Sequence, residues 1–128
     1  MGMSDYKVGP VMAVADLDRA REFYEGKLGL TPSGDDPEGV AYECGEDTAI
    51  FVYPSPEHAG KSTATLAGWA VDDLEKVVDE LSANGLAFEQ YDQGELKTNE
   101  KGIFEAHGMK AAWFRDPDGN THALNQAP

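Results

Sequence analysis

The side chains best suited to chemistry near neutral pH are few: His58, His107, His122 and the single cysteine, Cys44. An imidazole can relay a proton or hold a metal, and a thiolate can attack carbon or bind a soft cation. His58 falls in a Pro- and Gly-bearing stretch, 55–62, and reads as a solvated linker residue. His122 falls in a strand pattern on the side expected to meet a helix, where a structural histidine is the simpler reading. His107 ends a long polar stretch, 92–108, just before a strand at 109, so it is the candidate acid–base group. Such a group needs a substrate proton within hydrogen-bond reach, which spacing alone does not supply. Cys44 has no basic residue beside it and reads as a strand cysteine. Asp116-Pro117-Asp118-Gly119 sets two carboxylates in four residues, a turn signature rather than a calcium loop.

Aromatic residues are the second resource. Tyr42, Tyr91, Phe104 and Trp113 are expected to line or overhang a cleft, where their faces suit flat or cationic organic molecules. Phe23, Phe51 and Trp69 are assigned to the helix-facing core.

The elements that must position these residues occur twice. Residues 8–14 form a β-branched run. Asp16 opens a helix whose stripe is Leu17, Ala20, Phe23, Tyr24 and Leu28, and Gly29 stops it. Residues 31–38, with Pro32, Gly34 and Pro37, read as a loop or weak edge strand. Residues 40–44 and 48–53 read as strands around a Gly45-Glu46-Asp47 turn. The pattern then restarts: a strand at 63–71, a helix capped by Asp72 with Leu74, Val77, Val78 and Leu81 on one face, and a stop at Asn84-Gly85. Strands at 86–90, 109–115 and 120–125 follow. Residues 13–20 also align with 70–77, an internal repeat of about 57 residues. The expected fold is α+β: two βαβββ modules, 6–54 and 63–126, joined by linker 55–62 in a single 128-residue domain. Their curved mixed sheet is expected to surround a cleft.

The formal charge is −14, from 24 acidic and 10 basic residues. That balance argues against nucleic-acid or anionic-membrane partners and favours cationic ligands. No apolar run approaches the roughly 20 residues of a membrane span, and the N-terminus does not read as a signal peptide. One cysteine permits no internal disulfide, so a cytoplasmic location is expected.

Residues 14–30, 69–74 and 112–120 (the last Ala-Trp-Phe-Arg-Asp-Pro-Asp-Gly-Asn) resemble motifs of the glyoxalase, bleomycin-resistance and dioxygenase superfamily, the vicinal-oxygen-chelate proteins. The resemblance implies four metal-ligand positions, normally His, Gln or Glu, one on each of four strands. Seven residues before Asp16 lies Gly9. The middle of the last strand of the first module is Ile50. Seven before Asp73 lies Leu66, and four after Gly119 lies Ala123. None carries a lone pair for a divalent ion. His122 adjoins the last position, but alternation turns it to the other face. Neither a metal nor another cofactor is therefore expected, nor metal-dependent glyoxalase or ring-cleaving activity.

The function implied is non-enzymatic binding or sequestration of a small organic ligand, cationic or aromatic, as in the drug-sequestering branch, with a homodimer as the assembled form. The cleft is assigned Gly9, Val11, Tyr42, Ile50, Val52, Leu66, Gly68, Tyr91, Phe104, Trp113, Ala123 and Asn125. The alternative is a metal-independent lyase or isomerase using His107 or a cleft tyrosine. A regulatory interaction module is a third possibility.

Overall fold

The computed structural model describes residues 2–36 and 38–128. Two compact units divide the chain, 1–61 and 62–128, so the boundary falls within the expected linker. Together they give an α+β fold with two four-stranded mixed sheets.

In the first unit, β1 (Val11–Val14) leads into α1 (Leu17–Arg21). The strand is shorter than the expected 8–14, and Pro10 just before it has no N–H to donate. Asp16 caps the helix as expected: its Oδ1 accepts from the backbone N–H groups of Asp18 and Arg19. The helix then widens to a π-turn over Glu22–Lys27, where Leu28 N–H bonds the Phe23 carbonyl five residues back. Gly29 turns the chain at φ +74°, a left-handed stop that favours glycine. Three strands follow, β2 (Pro32–Asp36), β3 (Gly39–Glu43) and β4 (Ala49–Pro54). The stretch 31–38 thus contains an edge strand, while Pro37 lies outside the described residues.

The sheet order is β1-β4-β3-β2, with β1 parallel to β4 and the other pairs antiparallel. The buried residues Met12, Val14, Val40, Tyr42, Ile50 and Val52 share one face, because Tyr42 pairs with Ile50 and Val40 and Met12 both pair with Val52. This face carries the helix. The Tyr42 ring stacks on Tyr24 at 5.9 Å between centroids, and its hydroxyl donates to Glu25 Oε2 at 2.8 Å. Burying one such apolar side chain contributes about 1.5–3 kcal/mol.

The second unit repeats the scheme. Its main sheet comprises β5 (Thr65–Ala70), β8 (Phe104–Ala106), β9 (Met109–Arg115) and β10 (Thr121–Gln126), ordered β5-β10-β9-β8 with β5 parallel to β10. The two sheets share one topology, the structural counterpart of the internal repeat. Helix α2 (Leu74–Ala83) is capped by Asp73 rather than Asp72, because the Asp73 carboxylate accepts from Lys76 N–H. Leu74 and Val78 are buried, and Leu74 N–H also bonds the Gln126 side chain, tying helix to sheet.

Two expectations change in this unit. Residues 86–90 form no strand, only a single bridge from Phe88 to Phe114. The long polar stretch 92–108 carries strands and turns of its own. It holds a small hairpin of β6 (Asp92–Gln93) and β7 (Leu96–Lys97). A turn follows, in which Asn99 Oδ1 accepts from the N–H groups of Lys101 and Ile103. Gly102 sits in that turn at φ +85°, and a Cβ there would lie 2.8 Å from Phe88 Cβ, so the close approach requires glycine.

Candidate functional site

Each sheet has one face under its helix and one turned away from it. Strand alternation assigns residues to these faces, and the site is built from the face turned away.

In the second unit, register places three ranks of residues side by side on this face. Thr121 pairs with Arg115 and Thr65, and Ala123 pairs with Trp113 and Gly68. Asn125 pairs with Ala111 and Ala70, and Ala111 pairs in turn with Phe104. Leu66 is an extra residue, since the register steps from Thr65 opposite Thr121 to Ala67 opposite His122. It is 39% exposed. Trp113 centres an aromatic cluster. Tyr91 stands edge-on to it with centroids 5.5 Å apart at 82°, and Phe104 leans against it at 6.2 Å and 50°. Tyr91 is fixed from behind: its backbone N–H donates to Thr98 Oγ1 at 2.9 Å, and its carbonyl accepts from Thr98 N–H. The result is an aromatic wall beside a floor of small residues, Gly68, Ala111 and Ala123. The structure thus places Gly68, Tyr91, Phe104, Trp113, Ala123 and Asn125 side by side, with Leu66 at the bulge on the β5 edge. A separate shallow groove of about 360 Å³ runs along the connection beside Lys97, Thr98, Asn99, Ile103 and Glu105.

In the first unit the expected set divides. Val11 points away from the helix and is 58% exposed, and Gly9 precedes it by one period. Tyr42, Ile50 and Val52 are buried on the helix side and do not join them. Phe51, expected under the helix, lies on the opposite face and stacks on Tyr53 at 6.3 Å. Gly39 makes room for that ring, since a Cβ there would come 2.5 Å from Phe51 Cζ. The strand β4 reads Ala-Ile-Phe-Val-Tyr, apolar on both faces, so its composition offers no alternation from which to choose a side.

The titratable candidates separate sharply. His107 (φ +53°) and Gly108 (φ +80°) form the two-residue turn between β8 and β9, with the dihedral signs of a type I′ hairpin. His107 is exposed at this apex. His122 is fully buried. Its ring stacks on Phe114 at 4.8 Å, and its Nδ1 accepts from Trp69 Nε1–H at 3.1 Å. That bond places the proton of the neutral ring on Nε2. Burial pushes the His122 pKa down to about 4, so the ring is neutral at pH 7. Burial likewise pushes the Cys44 thiol up, disfavouring the nucleophilic thiolate. His58 Nδ1 lies 2.9 Å from Ser55 Oγ in an exposed local turn. A cluster not foreseen in the sequence lies in the first unit, where Arg21 Nε donates to Glu25 Oε2 at 2.7 Å beside the Tyr42 hydroxyl. The Arg21 bond, aided by Tyr42 and opposed by burial, holds the Glu25 carboxyl below its ordinary value. The i,i+4 spacing of Arg21 and Glu25 was the available signal.

The residues at the four positions that the sequence resemblance assigns to a metal do not fit one. A Cβ on Gly9 would lie 2.6 Å from the Ala49 carbonyl oxygen, so any ligand side chain there would displace the strand. Ile50 faces the helix, and its neighbours Ala49 and Phe51 offer no donor. Leu66 and Ala123 are hydrocarbon. Among the described residues no three His, Cys, Asp or Glu side chains form a metal-holding group.

Known structures share this architecture. A glyoxalase/bleomycin resistance protein from Catenulispora acidiphila is 24% identical with TM-score 0.70, over 95% of this chain and 98% of the other. A glyoxalase/bleomycin resistance protein/dioxygenase from Alicyclobacillus acidocaldarius is 16% identical with TM-score 0.71, over 95% and 91%. TnmS3, an antibiotic binding protein from a Streptomyces species, is 22% identical with TM-score 0.67, over 96% and 98%. At these identities the likeness concerns the fold. No curated protein matches the sequence. The model of the Glyoxalase/Bleomycin resistance protein/Dioxygenase superfamily matches residues 8–124, and the chain belongs to that superfamily.

Proposed function

We propose that this protein binds a small aromatic or cationic organic molecule, without a metal, on the helix-free sheet face of its second unit. The observation that carries this reading is the Tyr91–Trp113–Phe104 cluster beside a floor of glycine and alanine. Aromatic rings held edge-on leave one ring face for a flat guest, and small floor residues leave depth for it. The charge of −14 raises the local concentration of cations. Sequestration rather than turnover is favoured because the histidines stand apart from this cluster, His107 at a hairpin apex and His122 buried and neutral, leaving Tyr91 as its one titratable ring. The antibiotic-binding fold relative supports the same direction. We further propose a homodimer in the cytoplasm, for which sedimentation should return twice the 13.8 kDa chain mass.

Thermal-shift screening against planar cations such as acridines and against bleomycin-type glycopeptides tests the binding reading. Stabilisation by at least one class, lost in Trp113→Ala, is expected. Stabilisation by none of them contradicts it. Turnover that survives chelator and disappears in His107→Ala would instead establish the lyase or isomerase alternative.

A further inference from the structure

The helix-free face of the second unit is not uniformly apolar. Beside the rank formed by Gly68, Ala123 and Trp113 lies a polar rank formed by Thr65, Thr121 and Arg115. Thr121 is 3% exposed, and its Oγ1 is buried with no hydrogen-bond partner among the described residues. A hydroxyl removed from water without a partner is a standing cost to the fold, and an isosteric valine would avoid it. The Arg115 Nε lies 2.9 Å from Glu89 Oε1 in a half-exposed ion pair. That pair engages Nε, while the terminal nitrogens meet no acceptor among the described residues. Two donors, one a hydroxyl and one a guanidinium, thus adjoin the Trp113 wall.

We infer that the ligand of this face is an aromatic molecule bearing a carbonyl-type oxygen, its ring against Trp113 and its oxygen accepting from the Thr121 hydroxyl at the Arg115 end. This rests on the reading of the face as a binding surface and adds the chemical class of the guest. A hydroxyl donor selects by the group it meets: a guest without an acceptor leaves Thr121 unpaired, and one with an acceptor satisfies it. The overall negative charge draws cations to the surface, but the polar rank sets which end of the guest is held.

Acetophenone and α-methylstyrene test this, because they share a shape and differ by oxygen against methylene. Chemical-shift titration of the Trp113 indole N–H gives both affinities for the wild type, Thr121→Val and Thr121→Ser. In Thr121→Val the preference for acetophenone over α-methylstyrene should fall by about threefold to tenfold, the size expected for one hydrogen bond. Thr121→Ser should restore it. The unliganded melting temperature of Thr121→Val should be unchanged or higher. An unchanged preference overturns the anchor while leaving the binding face intact. A lowered melting temperature also overturns it, since the hydroxyl would then serve the fold. If neither probe moves the Trp113 resonance, the binding-face reading falls and this inference with it.

Discussion

The two units share one strand order, one parallel pair at the same place and one helix over one face, yet their helix-covered faces hold opposite kinds of polar group. In the first unit a tyrosine crosses the core, and its hydroxyl reaches a carboxylate kept ionised by Arg21. In the second a histidine lies in the same layer, kept neutral by burial and held by Trp69. A charged group at the edge of a core is stabilised by its partners, whereas a neutral one at the centre is stabilised by exclusion of water. The outer faces differ as well. One unit presents Phe51 and Tyr53 in a stacked pair, and the other an edge-on cluster around Trp113.

The largest effect of substitution is expected in the first core. Tyr42→Ala removes a fully buried ring and should cost about 3–5 kcal/mol of stability in urea unfolding. Trp113→Ala, half-buried on the outer face, should cost clearly less while removing binding. If the two costs are equal, the assignment of faces is wrong.

Acid separates the cores next. The folded chain resists protonating His122 until about pH 4, whereas the unfolded chain takes the proton near pH 6.5. Stability from this source is therefore intact above about pH 6.5 and falls as pH drops towards 4, by up to about 3 kcal/mol. His122→Gln should flatten that slope when unfolding is followed at pH 7 and pH 4.5. The depressed Glu25 carboxyl acts lower. Its contribution is present above its ordinary value of 4.5 and is lost as pH falls below it, so Glu25→Gln should alter only the more acidic end. A slope that persists in His122→Gln contradicts the buried neutral ring.

A smaller effect is expected at Gly102. Ala there meets Phe88 Cβ and the Glu89 carbonyl at a positive φ, and should lower stability by about 1–3 kcal/mol in thermal unfolding. The smallest is His107→Asn. Asn-Gly suits a type I′ turn better than His-Gly, so the hairpin should gain about a few tenths of a kcal/mol with ligand binding unchanged. Loss of binding in that variant would return His107 to the site.

These contrasts also explain what could be read in advance. The second unit was legible on both faces, with Trp69 and His122 inside and Trp113, Ala123 and Asn125 outside, because counting from Gly119 of the turn fixes the parity of β10 even though its residues do not alternate in polarity. The first unit was legible as elements but not as faces. Its β4 is apolar at every central position, and the side is settled only by Tyr42 finding Tyr24 and Glu25 across the sheet, a contact between distant residues. Asp73 displaced Asp72 as the cap for a similar reason, since adjacent aspartates are equivalent until the helix register chooses one. The order within 92–108 depends on Asn99 and Gly102, whose turn is defined by hydrogen bonds that composition does not show.

The two tryptophans report separately on the two faces of the second sheet. Trp69 lies on the helix-covered face with its indole N–H bonded to His122, and Trp113 lies in the aromatic cluster of the other face. Nitrogen-15 correlation spectra recorded during titration with 9-aminoacridine test whether the helix-free face of the second unit binds a flat cation. A saturable shift of the Trp113 indole resonance is expected while that of Trp69 stays in place. Movement of Trp69 alone, or of neither resonance at millimolar probe, would contradict binding on that face.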